Sequence, residues 1–179
     1  MKNSTAVAVL LVLAVAVVMA PAAEVPRKSP ELAIFQPPSK TTPLSSYKGR
    51  VVVVEFLFLG SQHCLRVAQT LDRLRAELGP RGFQPIGIVF GPHASEASVY
   101  AFAQTSKLSY PIGYSTAADV DTYLARKKDE VLNIPQVVVI DRSGMIRAQS
   151  GGRGGDPKLE DEVALRSLVM SLLAESAAK

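Results

Sequence analysis

The sequence is expected to fold as an α/β sandwich, a central mixed β-sheet with helices on both faces. Three observations predict this. Strand-like and helix-like segments alternate along most of the chain. The run VVVVEFLF (51–58) is almost continuously apolar and rich in β-branched residues, which suits a strand buried on both sides. The pattern then closes with a hairpin, QVVVI and MIRAQS around a DRSG turn, followed by a last helix.

In chain order, residues 1–23 read as an export signal. Lys2 is the positive start, residues 5–20 (TAVAVLLVLAVAVVMA) are apolar, and APAA (20–23) offers small residues for cleavage. An uncleaved anchor is the alternative reading, although the run is slightly short of the ~20 residues of a spanning helix. With no cysteine near residue 20, a bacterial lipoprotein is excluded. The folded part is therefore expected outside the cytoplasm, periplasmic or otherwise exported. Residues 24–46 are rich in Pro, Ser and Thr and read as a linker with one short strand, LAIF, and turns. The main domain is expected over 47–176.

Within it, residues 65–78 place Val67, Ala68, Leu71, Leu74 and Leu78 on one helical face, and Gly79-Pro80 stops the helix. FQPIGIVF (83–90) is the next strand. Residues 95–107 read as a helix, 110–114 as a short strand and 117–132 as another helix. After the hairpin (136–140, 145–150) come the flexible Gly151–155 loop, an Asp156 cap with Pro157 at the first helical position, and a helix with Leu165, Leu168, Val169 and Leu172 on one face.

The bulk composition narrows the function classes. A chain of 179 residues fits one domain with a real core. The charge of +4 is spread thinly, and the longest basic block, Arg126-Lys127-Lys128, reads as a solvated helix face rather than a nucleic-acid footprint. The single cysteine, Cys64, cannot form an intramolecular disulfide, so it is inert, functional or paired with another chain.

That cysteine ends the stretch LGSQHC (59–64), between the apolar strand and the first long helix, at the sheet edge where α/β proteins build sites. The segments PLSSYKGRVVVVEF, GFQPIGIVF and NIPQVVVIDRSGMIRAQSGG around it resemble the thioredoxin-fold redoxin family, most closely its secreted TlpA/ResA-like, AhpC/TSA-type branch. The resemblance covers roughly residues 30–175. It implies a W-C-x-x-C site matched here by Gly60-Ser61-Gln62-His63-Cys64. Cys64 then takes the place of the second, resolving cysteine, Ser61 that of the attacking one, and Gly60 that of the tryptophan. It further implies a cis-proline opposite the motif, matched by Pro135 after Ile134, and a buried proton-relaying carboxylate, matched by Glu55. Without the resemblance, a carboxylate within a buried strand would be costly unless paired or protonated, and its pKa is expected to rise.

A serine hydroxyl neither ionises at neutral pH nor forms a disulfide, so ordinary dithiol exchange is closed to this chain alone. Cys64 in the first helical turn, beside His63, retains a route to a thiolate. Three readings follow. The first is a redox protein with a single-thiol site, acting in redox homeostasis on protein thiols, disulfides or a dithiol partner. The second is a redox-inactive module holding polypeptide near Pro135. The third is a peroxiredoxin-like antioxidant peroxidase. For the last, Ser61 matches the hydroxyl of P-x-x-x-T/S-x-x-C, but Leu57 replaces the proline and the arginine is missing, with Arg142 and Arg147 lying farther along. No cofactor and no metal are expected, since His63, Cys64 and the distant His93 make a poor ligand set. The GGRGG glycines lack a phosphate-loop context, and Ser61 with His63 lacks a nucleophile elbow.

Overall fold

The computed structural model describes residues 24–126, 131–151 and 157–175. The signal segment, Lys127, Lys128, residues 152–155 and the Asp156 cap lie outside them. The strands are β1 (Arg27–Lys28), β2 (Ala33–Gln36), β3 (Lys40–Pro43), β4 (Val51–Leu57), β5 (Phe83–Val89), β6 (Ile112–Tyr114), β7 (Gln136–Ile140) and β8 (Met145–Gln149). The helices are α1 (Gln62–Leu78), α2 (Glu96–Ser106), α3 (Ala117–Tyr123), α4 (Pro157–Glu160) and α5 (Glu162–Ala174). They build one mixed sheet in the order β1-β8-β7-β4-β5-β6-β2-β3. β4, β5 and β6 run parallel, and every other pairing is antiparallel.

The sequence explains the two layers. Side chains alternate between the faces of a strand. Val51, Val53 and Leu57 of β4 join Phe83, Val89, Val137 and Val139 under α1 and α5, packed on Leu71, Leu74, Leu165 and Val169. Val52, Val54 and Phe56 point the other way, with Ile86, Ile88 and Val138, under α3 and the N-terminal segment. β4 is buried at every position, which is why it reads as an unbroken apolar run. Both faces need it.

The structure departs from the sequence reading in four places. Residues 24–46 hold more strand than expected: β2 and β3 form a hairpin and β1 pairs with β8. Leu32, Ile34, Thr42 and Leu44 are buried in alternation there, but the segments are short and the prolines, tolerated on edge strands, read as turns. The first helix starts at Gln62, ahead of the apolar face read over 65–78, because Ser61 caps it. α3 ends at Tyr123, well before 132. Ala125 takes a left-handed φ of +53°, and Arg126 turns back onto the Asp121 carboxylate. The last helix is split at Asp161, whose carboxylate accepts the Ala164 N–H at 2.8 Å and starts α5 anew.

Candidate functional site

β4 delivers the chain to the carboxyl end of the parallel strands, where residues 58–61 turn it into α1. The Ser61 N–H donates to the Phe58 carbonyl, and Gly60 takes a φ of +82°. That backbone region favours glycine, so the position matched to the family's tryptophan is shaped for glycine here. Ser61 is the N-cap of α1. Its hydroxyl accepts the Cys64 N–H at 3.3 Å, satisfying one of the orphan donors of the first turn. The serine of S-x-x-C thus has a structural task that serine performs well.

Cys64 is only 1% exposed. It packs in the α1/α5 core with Val67, Leu71, Val137 and Leu159. Burial pushes its thiol pKa up. Hydrogen bonding to Ser61 and to nearby backbone opposes this, while the Glu55 charge adds to it. The helix start was expected to favour the thiolate, but desolvation outweighs it.

Glu55 faces the same layer. It pairs in register with Gly87 of β5 and Val137 of β7. It is 0% exposed, and neither carboxylate oxygen has a hydrogen-bond partner. Burial first, and then the charge of Glu160, raise its pKa well above the ordinary carboxylate range, so the carboxyl favours its protonated form. Its charge also raises the Tyr110 hydroxyl, after burial. Tyr110 donates to the Ala68 carbonyl of α1 at 3.3 Å. Glu55, Cys64 and Tyr110 are therefore all sealed from solvent in the layer beneath α1.

His63 is 46% exposed, and its Nε2 lies 2.7 Å from the Glu160 carboxylate of α4. Its hydrogen-bonding edge is thus engaged by α4. A polar cleft of about 290 Å³ runs beside this pair, with Arg66, Thr70 and Arg73 on its walls. The Ile134–Pro135 peptide bond is cis. The register Phe56↔Gln136 brings Pro135 to the same end of β4 as Cys64, and Ile134 is half-buried against both core layers. Phe58 adds an exposed aromatic rim at 37%, its ring 4.7 Å from that of Phe90.

The structure thus gathers Glu55, Gly60, Ser61, His63, Cys64, Ile134 and Pro135 at one end of the sheet. Arg142 and Arg147 lie at the other end. Arg142 donates to the Arg81 and Glu175 carbonyls, and Arg147 pairs with Asp141 and Glu175. His93 is exposed, its carbonyl accepting from Ser98. Among the described residues no three potential metal ligands cluster. Sequence reasoning missed Glu160, Tyr110 and Phe58. The first two meet the site through long-range packing that leaves no local pattern. Phe58 was legible as the last member of an apolar run but not as exposed.

The eight-stranded mixed sheet, cis-proline and strand-to-helix thiol loop define a thioredoxin-like protein whose motif holds one thiol. The chain belongs to the AhpC/TSA family, which it matches over residues 19–149. It is similar in structure to a thiol:disulfide interchange protein of the thioredoxin family from Chlorobium tepidum, with TM-score 0.67 and 19% identity over 83% of this chain and 97% of that one. A thiol:disulfide interchange protein from a Bacteroides species gives TM-score 0.66 and 18% identity over 84% and 91%. The thioredoxin domain of a thiol-disulfide oxidoreductase from Bacteroides vulgatus gives 0.64 and 18% over 82% and 96%. At such identities these likenesses establish the fold. No curated protein matches the sequence.

Proposed function

We propose that this is an exported, TlpA/ResA-like member of the family that has given up dithiol exchange and uses the surface formed by Phe58, Gly60 and Ile134, beside the buried Pro135, to hold extended polypeptide. One observation carries the reading: the chain's single thiol is sealed in the core, while the motif position matched to the attacking cysteine is a helix-capping serine. Phe58, Gly60 and Ile134 supply an apolar rim of the kind that accepts side chains from an extended segment. The apolar residues 5–20 support export. Partner proteins with the relevant thiols or disulfides are the expected clients, since the named structural neighbours are thiol:disulfide interchange proteins.

Binding of a fluorescent unfolded polypeptide with its thiols blocked tests the proposal. Phe58→Asp and Ile134→Asp should weaken it about tenfold or more, by placing charge in an apolar contact. Cys64→Ala should leave it unchanged. Binding that requires Cys64, or that ignores both rim substitutions, would overturn the proposal.

A second reading keeps redox chemistry for Cys64 once a partner opens the site. The buried, unpartnered Glu55 carboxyl on the same face of the sheet favours it, because a protonated acid brought within reach of the sulfur by such an opening could exchange a proton with it. A mixed disulfide recovered with a dithiol partner, and lost in Cys64→Ser, would establish that reading in place of the first.

A further inference from the structure

We propose that the chain carries a second binding site, at the opposite end of the sheet from Cys64, for a small organic carboxylate with an apolar body. A cleft of about 520 Å³ opens there between the N-terminal segment and the β7–β8 turn, a size that suits a compact ligand.

Its floor is apolar because it continues the core. Val52 and Ile140, paired in register at that end of β4 and β7, and Leu44 belong to the layer that packs against α3. α3 ends at Tyr123, so the N-terminal segment, rather than a helix, borders the floor here. Tyr47 forms a half-buried aromatic wall.

The rim selects the charge. Lys28, Lys48 and Arg50 line the cleft with Glu31 and Asp141. Both carboxylates are engaged by protein donors, Glu31 through one oxygen and Asp141 through both. Glu31 accepts the Leu32 and Ser45 N–H groups. Asp141 accepts from Ser143, Met145 and Arg147. Both carboxyl pKa values are lowered by this bonding, against the opposing effect of burial. The cations are less committed. Arg50 donates to Gln84 Oε1, whereas neither lysine ammonium has a partner among the described residues. Apolar floor, aromatic wall and uncommitted ammonium groups together fit an amphipathic anion. A neutral hydrocarbon would leave the cations unused, and a bare inorganic anion would leave the floor unused.

The test titrates the isotope-labelled full chain with naphthoate and follows the backbone amide resonances. Saturable shifts should centre on Ser29, Ser45, Lys48 and Ser143. The neutral analogue naphthalenemethanol should bind at least about tenfold more weakly, and the exposed double reversal Lys28→Glu with Lys48→Glu should cost naphthoate a similar factor. Shifts centred on Phe58 and Cys64, equal binding of the alcohol, indifference to the charge reversal, or no saturation would each overturn the proposal. Circular dichroism of the double variant confirms that it is folded.

Discussion

Replacing Glu55 by glutamine removes a titrating group from the middle of the sheet while keeping its shape. In the unfolded chain this carboxyl ionises near its ordinary value of 4.5, whereas in the folded protein burial raises the pKa well above that. Between those two values the native state holds one proton more than the unfolded state. Stability conferred by the neutral acid is therefore present in full below the ordinary carboxylate range and is lost as pH rises toward the folded pKa. The slope over that window is about 1.4 kcal/mol per pH unit. For a domain of this size that corresponds to a melting shift of about 3–6 °C per pH unit. The glutamine amide also lacks a partner, but its cost is independent of pH, so slope separates the two effects. Thermal unfolding of wild type and Glu55→Gln, followed by circular dichroism from about pH 5 to 8, reads the difference directly. Wild type should lose stability with rising pH relative to the variant. Parallel curves would show that Glu55 is not a buried neutral acid, and would refute the sealed cluster drawn around it.

Ser61→Ala removes the cap of α1 and should cost about 1 kcal/mol, a melting decrease of about 2–4 °C, with Ser61→Gly milder. Ser61→Cys should restore a C-x-x-C pair that forms a disulfide under oxidant and reduces insulin; two free thiols would show that Ser61 does not occupy the attacking position. Gly113→Ala should destabilise by about 1–3 kcal/mol in denaturant unfolding. Its new Cβ would meet the Ile34 side chain at 2.5 Å and the Phe35 backbone oxygen at 2.8 Å, and a wild-type midpoint would show that β2 and β6 are not packed this closely.

The central fold was legible because its signals are local. Seven consecutive buried residues make β4, helical spacing marks the buried face of α1, and Ile134-Pro135 precedes the hairpin. The N-terminal hairpin was not legible because four-residue strands carry little periodicity and rely on pairing with β6. The early end of α3 depends on one left-handed residue, Ala125, which alanine does not advertise. At the site, residue identities were legible but environments were not. Glu55 was expected to be buried because it interrupts an apolar run. Cys64 is buried in a layer assembled from distant segments, Leu159 and α5 among them, and the engagement of His63 depends on Glu160. Ser61 looked like a lost cysteine; its capping bond shows what serine contributes in that place.

The proposal that the thiol has been withdrawn from exchange meets its most direct test in the kinetics of Cys64 modification. The native full chain is mixed with an aromatic disulfide reagent from about pH 6 to 9, and release is timed against the independently measured unfolding rate. Labelling of the native chain should be no faster than unfolding or opening of the α1/α5 layer, with full reaction at once in denaturant. Rapid stoichiometric labelling of the folded chain, faster than its unfolding, would contradict it.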